Sequence, residues 1–412
     1  MLKITNILLP NNSRKDIEYS LSQNITIDGS NLLLLPGLID PHVHFRVPGL
    51  EDKEDWQHAS IAAIKGGYTT VFDMPNTKPA TTTQARLHNK FSIINQQLNE
   101  VDIPLRYKLF FGADKNQFHE IVKVKDEIVG IKVFMGASTG DLLMDDESSL
   151  HAIYAIAKAH NLIIALHAED ELIIRENAQK YANETDFKYH SIIRAPEAAV
   201  KAVDLVIKLT EIYGVTSYIL HVSTNRELEL VKQAKAKGLP IYVETCPHYL
   251  FLDESMYPQL NGRGKMNPPL RNKLDQDILW QAINEGVIDT IGSDHAPHKL
   301  GEKEQPLCKC PSGVPGIETT LPLLITAWKD GKISLDKIIE LTNKNPERIF
   351  NLAPNNDLVL VDITNYRKLK DEDMATKCKW TPFVGMNLTG FPKYVITQGR
   401  LFDCDNLISG IK

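Results

Sequence analysis

The sequence predicts a mixed α/β protein built on a (β/α)8 barrel of the TIM type, with a small β-sandwich formed by its two ends. Eight short runs rich in apolar and β-branched residues recur from Pro36 onward, and helical segments separate them. Strands that alternate with helices form parallel sheets with the helices packed outside. Eight such units match a closed barrel with insertions. A doubly wound open sheet is the alternative, but that fold seldom uses so many even repeats.

The predicted barrel strands can be named directly from these runs. In chain order they are GLIDPHVHF, TTVFDMP, RYKLFFGA, GIKVFMGA, LIIALHAE, SYILHVS, IYVETCPHY and VIDTIGSDH. Helices are predicted between them at Glu54–Lys65, Glu147–His160 and Arg226–Lys237, because apolar residues recur there at helical spacing. Gly66 and Gly238 follow the first and third of these helices, and glycine commonly ends a helix.

The two ends of the chain follow a different pattern. Short strand-like runs precede Pro36, with turns at Asn11-Asn12 and Asp28-Gly29, and the runs DLVLVDI and KYVITQGRLFDC predict further strands after residue 355. We therefore expect residues 1–36 and 355–412 to meet in the small β-sandwich. Residues 37–354 are predicted to form the barrel.

The composition narrows the class of protein. Of the 412 residues, 43% are apolar and 24% are charged, which is typical of a globular protein. A net charge of −6 argues against nucleic-acid binding, and no apolar run approaches the roughly 20 residues of a membrane span. The first residues lack the pattern of a signal peptide. Five scattered cysteines do not form a disulfide framework, so a reducing, cytoplasmic compartment is expected.

Side chains that bind metals stand at the ends of several predicted strands, where the active sites of such barrels lie. They are His42 and His44 on the first strand, Lys132 on the fourth, His167 on the fifth, His221 on the sixth and Asp294 on the eighth. A single histidine of this kind is more often a hydrogen-bonded core residue. Six such groups at one rim instead predict a metal centre.

Six ligands exceed one tetrahedral shell, so the sequence predicts two ions. Imidazole and carboxylate ligands suit Zn²⁺, and manganese, cobalt or iron also fit them. Two ions need a bridging anion. An ordinary lysine cannot supply one, because its pKa of about 10.4 makes it a cation at neutral pH. Reaction of the Lys132 amine with CO2 would give a carbamate that has two oxygens and a negative charge. We therefore predict two Zn²⁺ per chain and a carbamate on Lys132.

These motifs resemble the amidohydrolase superfamily and, more closely, its dihydroorotases, over nearly the whole chain. PGLIDPHVHFRVPG at 36–49 resembles the first-strand motif, and GIKVFMGAS at 130–138 resembles the strand of the carbamylated lysine. The resemblance implies that His42 and His44 bind one metal and that His167 in LHAED and His221 in LHVST bind the other. Asp294 in SDHAPH is the remaining ligand that the resemblance implies.

The resemblance also implies a substrate pocket. Arg46, Asn76 in DMPNT and His298 in SDHAPH would contact a substrate carboxylate, and Asn267 in MNPPLR would hold a pyrimidine ring. The alternatives are a surface arginine and ordinary loop asparagines. The segment 299–316 after the eighth strand is rich in glycine and proline and is expected to form part of a rim or lid.

The activity that the resemblance implies is the reversible hydrolysis of (S)-dihydroorotate to N-carbamoyl-L-aspartate in pyrimidine biosynthesis, by a homodimer. Two metals would lower the pKa of a bridging water, so that a hydroxide attacks the ring carbonyl. Asp294 would act as general base and then as general acid. The first alternative is an allantoinase, a hydantoinase or a dihydropyrimidinase, because these enzymes also have a lysine at the position of Lys132. Their substrates do not need a cation at Arg46, so Arg46 favours the dihydroorotases. A noncatalytic partner of a transcarbamoylase is the second, but such chains tend to lose metal ligands.

The remaining histidines receive no ligand role. His248 in ETCPHYL matches a segment of the family, without a role that the sequence assigns. Six further histidines lie in predicted helices or loops and are expected to be solvated: His58, His88, His119, His151, His160 and His190.

Overall fold

The computed structural model describes residues 1–20, 24–137 and 142–407, and its first strands belong to a sheet outside the barrel. These strands are β1 (Leu2–Leu8), β2 (Arg14–Tyr19), β3 (Ile25–Asp28) and β4 (Leu32–Pro36). β1 pairs with β2 in antiparallel fashion and with β3 and β4 in parallel fashion. The predicted turns at Asn11-Asn12 and Asp28-Gly29 lie at strand ends, as expected.

The next eight strands form one parallel sheet in sequential order, and each overlaps one of the eight predicted runs. They are β5 (Leu38–Val43), β6 (Tyr68–Asp73), β7 (Arg106–Gly112), β8 (Gly130–Phe134), β9 (Ile164–His167), β10 (Ser217–Ile219), β11 (Ile241–Thr245) and β12 (Thr290–Ile291). The sheet curls until its ends meet, where the backbone N–H of His44 donates to the carbonyl of His295 at 2.8 Å. The predicted barrel is confirmed.

Helices lie between and after the barrel strands. They are α1 (Trp56–Lys65), α2 (Gln84–Val101), α3 (Phe118–Val124), α4 (Glu147–His160), α5 (Glu171–Lys180), α6 (Tyr189–Ile193), α7 (Pro196–Tyr213), α8 (Asn225–Ala236), α9 (Pro247–Phe251), α10 (Tyr257–Leu260), α11 (Lys273–Glu285), α12 (Leu300–Lys303), α13 (Thr320–Lys329), α14 (Leu335–Ile339) and α15 (Asn345–Ile349). Helices α1 to α11 lie between the barrel strands, and α12 to α15 follow the last of them. The three helices predicted by name are present within two residues of their expected bounds.

Local sequence explains where these helices begin. The side chain of Asp146 accepts the backbone N–H of Ser149 and caps α4. Thr224 and Glu227 form a reciprocal capping box at the start of α8. Such caps satisfy N–H groups that have no partner inside the helix.

The C-terminal strands divide between the outer sheet and a separate two-stranded sheet. They are β13 (Leu358–Asp362), β14 (Arg367–Lys368), β15 (Asn387–Leu388), β16 (Phe391–Thr397) and β17 (Arg400–Asp403). Three of them, β13, β16 and β17, complete the outer sheet, and the other two, β14 and β15, form the separate sheet. β13 lies antiparallel between β4 and β16, with Leu360 opposite Leu34, so both ends of the chain share one seven-stranded sheet. The predicted fold class is confirmed. The boundaries at residues 36 and 355 stay predictions, and residues 408–412 lie outside the described residues.

The barrel interior is filled at the end opposite the predicted site. Phe350, just after α15, packs edge-on against Phe72 and Tyr218, with ring centroids 4.9 and 5.0 Å apart. The predicted metal ligands lie at the other end of the barrel, at the carboxyl ends of the strands. Among the described helices, none combines the length and apolar character that crossing a membrane requires.

Candidate active site

The carboxyl ends of the barrel strands bring all six predicted metal ligands to one rim, where each is buried. His42 lies in β5 and His44 directly after it, Lys132 lies in β8, and His167 ends β9. His221 and Asp294 follow β10 and β12, with backbone φ angles of 42° and 44°. Left-handed backbone is unfavourable for residues with a side chain and concentrates at functional sites. The strain at these two residues marks the rim as a site built for more than packing.

His42, His44 and Asp294 form one cluster. Nε2 of His42 and Nε2 of His44 lie 3.3 and 3.2 Å from Oδ1 of Asp294. The opposite nitrogens are engaged, because Nδ1 of His42 donates to Oε1 of Glu244 at 2.7 Å and Nδ1 of His44 donates to Oδ1 of Asn76 at 2.8 Å. Burial lowers the pKa of His42 to about 3 and holds the pKa of His44 well below its usual value, so both rings are neutral.

A neutral imidazole that donates from Nδ1 has only a lone pair on Nε2. Two such lone pairs therefore converge on a carboxylate oxygen, and three acceptors in one place repel each other. A bound cation resolves this arrangement, and imidazole with carboxylate is a donor set that divalent transition metals prefer. The cluster fits a metal ion.

His167 and His221 form a second cluster beside the first. Nδ1 of His167 lies 2.9 Å from Nε2 of His221, and Nε2 of His167 lies 2.8 Å from Oε2 of Glu169. Within the described part of the chain, Nδ1 of His221 is buried without a hydrogen-bond partner. The rings of His42 and His221 are 5.5 Å apart between centroids, so the two clusters adjoin. Two adjoining sets of neutral nitrogen ligands fit two metal ions.

Lys132 is buried beside these clusters, with Nζ 4.6 Å from the centroid of the Phe134 ring. Burial lowers the pKa of Lys132 to about 7, against the opposing attraction of Asp294 and Glu244. A buried lysine of this kind carries a substantial neutral fraction near neutral pH, and the neutral amine is the form that reacts with CO2. The predicted carbamate on Lys132 is thus compatible with its surroundings and stays a prediction.

Two of the predicted substrate-binding residues come into contact. Arg46 is 2% exposed, its Nε donates to the carbonyl of Pro297 at 3.1 Å, and its Nη2 lies 3.3 Å from Nε2 of His298. Burial lowers the pKa of Arg46 to about 10. Within the described residues this guanidinium forms no ion pair with a carboxylate. A buried cation without a carboxylate partner is costly, so an anionic ligand would fit beside Arg46 and His298.

The two predicted asparagines lie in different surroundings. Asn76 contacts the metal-ligand cluster, because its Oδ1 accepts from His44. Asn267 is half-buried, and among the described residues its Oδ1 has no hydrogen-bond partner. Asn76 therefore supports a metal ligand in addition to any contact with substrate, whereas Asn267 presents an acceptor to which no described residue donates.

Known proteins match this chain over nearly its whole length. The model of the family described as "Amidohydrolase family" matches residues 33–401. The chain belongs to the amidohydrolase family. A protein named dihydroorotase from Methanosphaera stadtmanae is 33% identical over 98% of this chain and 94% of its own length. Another dihydroorotase, from Staphylococcus epidermidis, is 32% identical over 97% of this chain and 96% of its own.

Solved structures agree with this assignment. The L-hydantoinase of Arthrobacter aurescens superposes with a TM-score of 0.90 at 27% identity, covering 97% of this chain and 95% of that one. The dihydropyrimidinase of Brevibacillus agri superposes with a TM-score of 0.85 at 26% identity, covering 97% and 94%. Family, relatives and ligand cluster together identify this amidohydrolase as a metal-dependent enzyme that hydrolyses cyclic amides.

The amidohydrolase contains supporting residues that sequence reasoning missed. Glu244 is fully buried and accepts from His42, from the Tyr218 hydroxyl at 2.9 Å and from the backbone N–H of His221 at 3.3 Å. Burial raises the pKa of Glu244 to about 8, so a neighbouring cation is needed to keep it charged. A Cβ at Gly292 would collide with this carboxylate, which explains the glycine there. Partners of this kind orient a ligating histidine and raise its basicity.

A second support stands behind His167. Glu169 accepts from His167 and pairs with Arg194, whose Nη1 also donates to the carbonyl of Ala137 at 3.0 Å. Glu169 and Glu244 both lie inside motifs that the sequence had singled out, LHAED and ETCPHYL. Two sequence signals could have identified these residues. Glu169 is a carboxylate two residues from the predicted ligand His167, and Glu244 is a carboxylate in a motif at the end of a strand.

The remaining histidines divide into buried and accessible groups. His190 is 6% exposed and its Nε2 donates to the carbonyl of Met266 at 2.8 Å, so the prediction that it is solvated is wrong. His190 lies in α6, and its burial comes from packing against the distant segment at Met266, which the local sequence does not reveal. His248 is also buried, and burial lowers its pKa to about 4.

The segment 299–316 is tied to the rim by a buried ammonium. Lys303 donates to the carbonyls of Lys265, Pro311 and Gly313 at 2.8, 2.8 and 2.9 Å. Three carbonyls satisfy the three donors of a lysine and explain how its charge is accommodated in the interior. The segment brings the carbonyl of Ser312 to within 3.0 Å of Nε2 of His298, and a role as part of a rim or lid stays a prediction.

Proposed function

We propose that this amidohydrolase is a dihydroorotase, which reversibly hydrolyses (S)-dihydroorotate to N-carbamoyl-L-aspartate in pyrimidine biosynthesis. The observation that carries the proposal is the pair of Arg46 and His298, a buried cation and a buried imidazole that lie 3.3 Å apart. The charge of Asp294 acts on the Arg46 guanidinium, so the pair is near the candidate metal site. Dihydroorotate differs from hydantoin and dihydrouracil in bearing a carboxylate on its ring. A cation held beside the reaction centre favours the substrate that carries this charge.

The named relatives support the same choice. Relatives called dihydroorotase match at 32 to 34% identity over most of the chain. Hydrogen bonds from an arginine to a carboxylate are charge-assisted and often bidentate. Arg46 and His298 would hold the carboxylate, Asn76 would contribute beside them, and Asn267 would face the ring.

We propose that the site holds two divalent ions, Zn²⁺ in our proposal. His42, His44 and Asp294 would bind one ion, and His167 and His221 would bind the other. A carbamate on Lys132 would be the ligand that both ions share. Bound there, the ions would supply an activated water and polarise the ring carbonyl.

Asp294 is proposed to move the proton. It would accept the proton of the attacking water and return it to the ring nitrogen that leaves, so it acts as base and then as acid. In the reverse direction it would take the proton from the amide nitrogen as the ring closes. Arg46 and His298 would fix the distance between the carboxylate and the scissile bond, which lowers the entropic cost of reaching the transition state.

A comparison of substrates tests the proposal. Metal-replete protein is assayed on dihydroorotate, hydantoin, dihydrouracil and allantoin under one set of conditions. We expect kcat/KM for dihydroorotate to exceed the others by at least about 100-fold, since one or two charged hydrogen bonds are at stake. A preference for an uncharged ring would refute the dihydroorotase assignment.

A hydantoinase or dihydropyrimidinase is the second candidate, because solved structures with those names superpose with TM-scores of 0.90 and 0.85. Fold similarity of this kind leaves the substrate undetermined. Arg46 is the residue that separates the two candidates.

A further inference from the structure

We propose that Lys53 is a positioning residue of the carboxylate pocket, because its ammonium holds His298 in the tautomer that carries the proton on Nε2. Nε2 is the atom that faces Arg46. This inference rests on the proposed function in so far as it takes a carboxylate to be the ligand. It adds a residue, Lys53, that neither the motif pattern nor the metal site points to.

The contacts of His298 define its tautomer. Nδ1 lies 3.0 Å from Nζ of Lys53, and Nε2 lies 3.0 Å from the carbonyl oxygen of Ser312. An ammonium only donates and a carbonyl only accepts. These two contacts place the lone pair on Nδ1 and the hydrogen on Nε2. Nη2 of Arg46, 3.3 Å from Nε2, is then a second donor beside the first, and an anion bound there would accept from both.

The ring is neutral, so its tautomer matters. His298 is 1% exposed, and burial lowers its pKa to about 3. The charged groups around it are Arg46, Lys53 and Lys303, which lower this pKa, and Glu302, which raises it. A neutral imidazole has one N–H, and only the Nε2–H form can donate to the Ser312 carbonyl and to an anion bound beside Arg46.

Glu302 shows why the lysine is needed. Its carboxylate lies 3.7 Å from Nδ1 of His298 and 2.9 Å from Nζ of Lys53. Lys53 thus stands between an acceptor and the ring. Without the ammonium, Glu302 would draw the ring proton to Nδ1 and turn a lone pair toward Arg46. That lone pair would repel a carboxylate and compete for the guanidinium.

We call the arrangement of Lys53, Glu302 and His298 the relay. Lys53→Met is the variant that tests it, because methionine keeps much of the length of lysine without its charge. We expect KM for dihydroorotate to rise by about tenfold or more, since a hydrogen bond to a charged group is lost. The kcat should change less, because Lys53 does not contact the metal-ligand clusters. Lys299→Met is the matched control, since Lys299 pairs with Asp52 at the surface with 50% of its side chain exposed, and its KM should stay at the parent value.

A second variant separates positioning from simple structural loss. In Lys53→Met/Glu302→Ala the acceptor that draws the proton to Nδ1 is also gone, so the Ser312 carbonyl again selects the Nε2–H form. We expect the double variant to recover most of the KM increase. If Lys53 had only a structural role, removing its partner Glu302 as well would increase KM further. That outcome would overturn the proposal.

The pH profile provides another readout. In Lys53→Met the pKa of His298 should rise, because a nearby cation is lost while Glu302 remains. As the pH falls through this raised pKa the ring gains a proton and both nitrogens donate, so KM should fall back toward that of Lys299→Met. A KM ratio that is constant with pH contradicts the relay.

The tautomer can be read without any substrate. Nitrogen NMR of protein labelled with 15N-histidine, assigned with His298→Ala, distinguishes Nδ1–H from Nε2–H. We expect Nε2–H in the parent and Nδ1–H in Lys53→Met. If the parent lacks dihydroorotase activity but shows this switch, the proposed function fails and the relay stands. If both proteins show the same tautomer, the relay fails whatever the substrate is.

Discussion

Replacing Arg46 by lysine tests the carboxylate pocket with the smallest change in charge. The guanidinium uses Nε on the carbonyl of Pro297 and turns Nη2 toward His298, so it can anchor itself and bind an anion at the same time. A lysine has one nitrogen on a flexible stem and must divide it between these tasks. The backbone φ of 67° at Arg46 is no worse for lysine, so the substitution probes the side chain alone.

The expected magnitude follows from the number of bonds lost. One hydrogen bond to a charged group contributes about 1.5–3 kcal/mol. Since about 1.4 kcal/mol corresponds to a factor of ten, kcat/KM for dihydroorotate should fall about 10- to 100-fold. The rate on dihydrouracil, which has no carboxylate, should change by less than about threefold.

Steady-state kinetics on both substrates, with metal content measured beside them, provide the assay. Arg86→Lys is a suitable control, because Arg86 is partly buried and its guanidinium donates to its neighbours Ala80 and Thr82. Equal losses on both substrates would refute the reasoning, since they would mean that Arg46 supports the rim in general and not the carboxylate.

Three further predictions concern the metal centre. Asp294→Asn should keep the fold and lower kcat by about 10²–10⁴, because an amide cannot accept and return a proton; near-normal turnover at full metal content would remove Asp294 from the mechanism. Lys132→Ala should lose metal and activity together, and short carboxylic acids should restore part of both; a bare amine in an active two-metal enzyme, seen by crystallography with bicarbonate, would rule out the carbamate. Glu244→Gln should weaken metal binding by about 10- to 100-fold in a competition titration with a chelator, because His42 loses its charged partner. Glu318→Gln, which alters another buried carboxylate, should leave that affinity unchanged, and similar losses in both variants would contradict a specific role for Glu244.

Much of the fold was predictable because its signals are local. The eight barrel strands are short apolar runs, and helices such as α4 carry their own cap at Asp146. Strand periodicity and capping act within a few residues, so they survive in the sequence. The pairing of β4 with β13, which joins residues far apart in the chain, was expected only from the similar character of the two ends.

The site was predictable as far as its metal ligands and not beyond. His42, His44, Lys132, His167, His221 and Asp294 stand at strand ends, and strand ends of a parallel barrel meet at one rim whatever the details of packing. His190 shows the opposite case, because its burial depends on a contact of α6 with Met266, which lies 76 positions further along the chain.

By itself the sequence determined the barrel, because the local pattern of a strand and a helix recurs eight times. It also determined the rim and the types of ligand there, because the ligands stand at the ends of those strands. Only the tertiary structure decided which nitrogen of each histidine is available. Glu244 reaches His42 across 202 positions of the chain, and Lys53 reaches His298 across 245. The proton on an imidazole is set by the partner of its other nitrogen, and that partner comes from a different strand or loop. Chemistry of that kind depends on distances of about 3 Å between segments that the sequence holds far apart.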